Sequence, residues 1–118
     1  VARQKSAEII LKKMKELQSK KNYPAILTGD FNSQEKDAWM KPLFENLQEA
    51  RSNCVTKPYA DKGTWNGFNF KEKPTEQIDF IFSSKKNTIV KKYRTITDFY
   101  DFKYPSDHLP IIAKIELK

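Results

Sequence analysis

The run Gln77-Ile78-Asp79-Phe80-Ile81-Phe82 limits what this chain can fold into. From Ile78 to Phe82 both parities of an extended strand are apolar except at Asp79, so two faces need covering and the single carboxylate is costly unless hydrogen-bonded, paired or bound to a metal. The same problem recurs in Thr28-Gly29-Asp30-Phe31-Asn32, which ends the apolar run Tyr23-Pro24-Ala25-Ile26-Leu27. It recurs again in Pro105-Ser106-Asp107-His108-Leu109-Pro110, just before Ile111-Ile112-Ala113. His108 is the only histidine of 118 residues. It follows a carboxylate in a turn bounded by two prolines, at the entrance to a strand. Taken singly, that turn reads equally well as a surface turn with an incidental Asp-His pair. Three carboxylates at strand ends together with one imidazole suffice for a metal-assisted site.

These three motifs, in this order, resemble the second half of the endonuclease/exonuclease/phosphatase superfamily, the fold of DNase I, abasic-site endonucleases, sphingomyelinases and inositol-phosphate 5-phosphatases. The resemblance covers most of the chain. It implies an α/β fold, half of a DNase I-like four-layer sandwich: one mixed sheet with flanking helices, a single partial domain over residues 1–118. It also implies phosphoester hydrolysis with Mg2+ or Mn2+. Asp30 would hold the metal and orient or deprotonate the water, and Asn32 would hold the phosphate or that water. Asp107 would assist at the metal, His108 would contact the scissile phosphate, and Asp79 would accept a hydrogen bond from His108 and favour its charged form. A complete member is roughly twice as long, and its first half supplies a further Asn, a metal-binding Glu and a second His. The chain starts at Val1, already in a helical pattern, so it is expected to be a C-terminal part of such an enzyme, impaired alone.

The remaining sequence fits an α/β reading. From Arg3 to Lys20 the residues Ala7, Ile10, Leu11, Met14 and Leu17 share a helix face, and Tyr23–Thr28 follows as a short buried strand. Gly29 permits the turn that delivers Asp30 and Asn32 at the strand's C-terminal end, where ligands gather in open α/β sheets. A short helix is predicted through Trp39 and Met40, and another from Pro42 carrying Leu43, Phe44 and Leu47. Residues 51–77 are irregular. Within them Thr64-Trp65-Asn66-Gly67-Phe68 places two aromatics and an amide around a glycine. These either cover one end of the core or stack on a ligand, and the resemblance favours a substrate-edge role for Trp65, Asn66 and Phe68. Thr88–Thr97 and Ile111–Leu117 are predicted strands, with Val90, Lys92, Arg94 and Ile96 on one parity.

Composition sets outer bounds. The net charge of +7 favours polyanionic partners only weakly, because the lysine doublets are scattered and suit solvated faces. Cys54 is the only cysteine and cannot form an intrachain disulfide. No apolar run approaches a membrane span, so the chain reads as soluble, with no compartment indicated. The substrate class stays open among nucleic acid, phospholipid head groups and sugar phosphates. Competing readings are a non-catalytic basic nucleic-acid-binding module and an interaction fragment. Neither accounts for three near-buried aspartates and a solitary histidine. Because Ile78–Phe82 and Ile111–Leu117 are apolar on both parities, one sheet face is expected to lack cover, and the chain is expected to self-associate or to pair with the other half of the domain.

Overall fold

The computed structural model describes residues 2–118 and confirms the α/β half-sandwich. The N-terminal helix α1 spans Ala2–Lys21. It ends where Asn22 enters the left-handed region at φ 54 and donates its N–H back to the Gln18 carbonyl. Strand β1 covers Ile26–Asp30, and a 3-10 turn at Ala38–Met40 leads into α2, Lys41–Asn46. The chain continues through β2 at Leu47–Glu49 and α3 at Ala50–Asn53. After the irregular stretch come β3 at Asp79–Ser84, β4 at Thr88–Thr95 and β5 at Ile111–Leu117.

The strands form two sheets rather than the single mixed sheet expected. β3 is central, with β1 antiparallel on one edge and β2 antiparallel on the other. Both edges of β3 are therefore taken before the chain turns at residues 85–87, and β4 pairs antiparallel with β5 in a second sheet. Parallel pairing is represented among the described residues by one isolated bridge, Tyr59 with Arg94.

This arrangement also changes which faces are bare. Phe80 and Phe82 point to one side of β3 and are fully buried with Ala7, Met14, Met40 and Leu43 beneath α1 and α2. Ile81 points to the other side and packs with Ala50, Val90 and Tyr93, flanked by Ile111, Ala113 and Ile115. The chain thus covers both faces of β3, contrary to the expectation of one uncovered face there. The bare apolar positions lie further out: Ile26 on β1 is 51% exposed, and Ile112 and Leu117 on β5 are 54% and 60% exposed.

Four local expectations fail for identifiable reasons. The short buried strand expected over Tyr23–Thr28 is instead Ile26–Asp30 and largely exposed, because β1 lies at the edge of its sheet. Leu17 is exposed, because a 20-residue helix runs roughly 30 Å against a β1 of 5 residues, roughly 17 Å, and its last turns overhang the sheet. Leu47 belongs to β2 rather than to the helix before it. A bulge between Val90 and Lys92 breaks the alternation of β4, so Val90 and Tyr93 both point inward while Lys92 and Arg94 face solvent.

The stacked pair Phe80 and Phe82, bracketed edge-on by Phe31 and Phe44, is the centre of the larger core. Phe82→Ala is expected to cost about 3–5 kcal/mol in denaturant unfolding, whereas Phe102→Ala, at 73% exposure, is expected to stay within about 0.5 kcal/mol.

Candidate active site

β1 and β3 run antiparallel with Asp30 directly opposite Asp79, so the end of one strand and the start of the other place two carboxylates side by side. Beyond Asp30 the chain leaves the sheet through Asn32, whose φ of 47 lies in the left-handed region that asparagine tolerates. The Asn32 N–H donates to Asp30 Oδ1 at 2.8 Å, which fixes that carboxylate and leaves its other oxygen available. His108 approaches the same point from the segment before β5. Its Nδ1 lies 2.8 Å from Asp79 Oδ2, and its Nε2 lies 3.8 Å from Asp30 Oδ2.

The Thr64–Gly67 segment holds these pieces together. The fully buried Thr64 hydroxyl oxygen accepts the N–H groups of Ile78 and Asp79 at 3.1 and 3.2 Å. Its carbonyl accepts the Leu109 N–H at 2.6 Å. One residue thereby spans the strand bearing Asp79 and the segment bearing His108. The Asp107 carbonyl accepts the N–H groups of Asn66 and Gly67 at 2.8 and 3.2 Å, and Asn66 Nδ2 donates to the Ser106 carbonyl at 3.0 Å. Gly63 permits the start of this staple, since a Cβ there would lie 2.2 Å from the Pro74 carbonyl carbon and oxygen. Sequence reasoning missed Thr64. The one signal for it was a threonine next to a glycine inside the aromatic loop.

The loop residues separate into two kinds. Asn66 is buried, with its side chain spent on Ser106 and on the Phe68 N–H. Trp65 at 45% and Phe68 at 64% exposure keep open aromatic surface, and Trp65 bridges His108 through the backbone. A depression of about 380 Å³ touches Asp30, Asp79, Ile81 and Ile111. A larger, mainly apolar cavity of about 540 Å³ lies at the opposite end of β1, against Met14, Tyr23 and Ile26, away from every group in the site.

Electrostatically the site is a lone imidazole among carboxylates. The hydrogen bond to Asp79 raises the His108 pKa above its ordinary value, partial burial opposes this, and the charges of Asp79, Asp30 and Asp107 add to the rise. Asp30, Asp79 and His108 each offer a ligand atom, all within 4.8 Å of one another, and are the group so disposed among the described residues. Asp107 stands outside that set and bears on the site through its charge. The two carboxylates of this set fit a divalent cation as a partial shell, since Mg2+ and Mn2+ also take oxygens from water and other ligands. Asp30 is its natural anchor. A protonated His108 has no lone pair to offer a metal and is instead a donor toward an anion.

Residues 9–108 match the sequence profile of the endonuclease/exonuclease/phosphatase family. No curated protein matches the chain at a significant level. Among solved structures, the chain is similar to a mannosyl-6-phosphatase of Bacteroides thetaiotaomicron VPI-5482, at 36% identity and TM-score 0.89 over 97% of this chain and 45% of that one. An endonuclease/exonuclease/phosphatase family protein of Bacteroides thetaiotaomicron matches at 34% identity and TM-score 0.89, over 99% and 46% of the two chains. One from Bacteroides vulgatus matches at 28% and 0.84, over 99% and 44%. The chain thus spans less than half the length of these relatives.

The raised His108 pKa has a thermodynamic consequence. Stabilisation from the Asp79–His108 pair is fully present below the unfolded histidine value of about 6.5 and is lost as pH rises through the raised folded value. Asp79→Asn should therefore lower the His108 pKa in an NMR titration. It should also destabilise the chain more at pH 5.5 than at pH 9. An unchanged His108 titration in this variant would show that Asp79 does not set the imidazole's charge.

Proposed function

The chain belongs to the endonuclease/exonuclease/phosphatase family, and from that premise we propose that it carries the phosphate-binding and water-orienting part of a divalent-metal-dependent phosphoester hydrolase. The observation that carries this reading is His108 held between Asp79 at 2.8 Å and Asp30 at 3.8 Å, at the mouth formed by β1 and β3. Asp79 accepts a hydrogen bond from Nδ1–H, fixes the ring's orientation and favours the imidazolium. The remaining N–H, on Nε2, then faces the place where a phosphoryl group would lie and would stabilise charge on its non-bridging oxygens. Asp30, with Oδ1 tied to the Asn32 N–H, would use Oδ2, which lies 3.8 Å from His108 Nε2 and beyond hydrogen-bond distance of it, to hold the metal or to orient the attacking water. Asn32 would contribute its side-chain amide to the phosphate or to that water. A divalent cation bound at Asp30 supplies Lewis acidity toward the phosphoryl oxygens and lowers the pKa of bound water.

For the substrate we favour a sugar phosphate among the classes this family hydrolyses. The similarity to a protein described as a mannosyl-6-phosphatase supports that choice. So does the exposed face of Trp65, whose backbone pairs with that of His108 and whose ring suits the apolar face of a pyranose. Mannose 6-phosphate incubated with the chain and Mn2+ should release inorganic phosphate slowly. Chelation should abolish release, and His108→Ala should lower the rate about 10²–10³-fold. A dinucleotide phosphodiester cleaved faster than the sugar phosphate would overturn the substrate choice; cleavage unaffected by chelator and by His108→Ala would overturn the mechanism.

The uncovered positions of the two sheets support association. Ile26 and the free edge of β1 lie in one sheet, and Ile112, Leu117 and the free edge of β5 lie in the other. Unpaired edges beside exposed aliphatics invite strand addition. Sedimentation of the 118-residue chain should show self-association that grows with concentration, and Ile26→Lys with Ile112→Lys should suppress it. A monomer over the whole range would contradict this.

A further inference from the structure

The face of the Asp30–Asn32 turn away from His108 carries a hydrogen-bonded lock. Ser33, next to Asn32, is 3% exposed, and its Oγ accepts two donors from separate elements: Trp39 Nε1 at 2.8 Å and Arg3 Nη1 at 3.1 Å. Trp39 comes from the 3-10 turn and packs against Phe31, the residue between Asp30 and Asn32. Arg3 comes from the first turn of α1. What ties Arg3 to the site is its contact with Ser33.

The lock acts where the backbone most needs it. Asn32 sits at φ 47, a left-handed conformation that asparagine tolerates better than most residues but that still costs free energy, so the contacts on either side of it bear on the turn. On one side Asp30 Oδ1 receives the Asn32 N–H; on the other, Ser33 is pinned by Arg3 and Trp39. We propose that Arg3, Ser33 and Trp39 are positioning residues that hold the Asp30–Asn32 turn in its site-facing conformation, so that the start of α1 controls the geometry of the metal- and phosphate-facing groups. This rests on the reading of Asp30 and Asn32 given above.

The test follows the turn by NMR in the 118-residue chain, using Mn2+ as the probe. Mn2+ affinity is read from paramagnetic broadening of the Asp30 and Asn32 amides. Ser33→Ala and Arg3→Met should shift the Asn32 amide resonance and weaken Mn2+ binding about tenfold, at the low end for partners that orient a metal ligand. The His108 ring signals should keep their wild-type pH titration, and Arg3→Lys, which retains a donor, should restore much of the affinity. An unshifted Asn32 amide with wild-type Mn2+ affinity in both variants would overturn the proposal. So would equal loss in Arg3→Lys and Arg3→Met. Should wild type and Asp30→Asn bind Mn2+ equally, the metal reading fails by itself. The lock is then decided by the Asn32 amide alone: displacement in Ser33→Ala sustains it, and no displacement ends it.

Discussion

The structure depends on the burial of β3. A strand with partners on both edges and apolar cover on both faces has no freedom in register, because a one-residue slip would exchange Phe80 and Phe82 for Ile81 across the sheet. That fixes Asp79 at the strand's first position, opposite Asp30, where the core gives way to the mouth of the site. The carboxylate is tolerated because it lies at the edge of the apolar region, its N–H bonded to Thr64 and its oxygen to His108.

From there the site is assembled by short-range hydrogen bonding across long sequence separations. Thr64 joins the strand of Asp79 to the segment of His108, and Asn66 fastens Ser106. The positive φ at Asn32 is held from both sides. None of these contacts contributes much alone, since a typical protein hydrogen bond is worth about 1 kcal/mol net. Their weight lies in geometry, because together they set where Asp30, Asp79 and His108 stand relative to one another.

The electrostatic design is economical in side chains. Three carboxylates surround a single imidazole in a chain of net charge +7, so the acidic site is set within a basic molecule. The local field favours the charged form of His108, and the net positive charge favours anions around the molecule. Close similarity in fold to relatives more than twice as long shows that these elements adopt the family geometry.

The sequence by itself determined the fold class, the three motifs, and that Asp30, Asp79 and His108 belong to one place. Apolar strands carrying single carboxylates pointed to strand-end chemistry, and the motif resemblance joined them into one site, although Asp30 proves to be exposed. What the tertiary structure decided was everything that depends on which edge and which face is already occupied. It split the strands into two antiparallel sheets, because β2 took the edge that β4 would otherwise have used. It gave both faces of β3 a cover and left Ile26, Ile112 and Leu117 bare. It set Asp107 outside the ligand cluster and turned Asn66 inward to the loop backbone. It also brought Thr64 to the site, marked in the sequence only by the glycine before it, and Ser33 and Arg3, which have no local signature, because a hydrogen bond between residues 30 apart leaves no periodicity for a sequence to display.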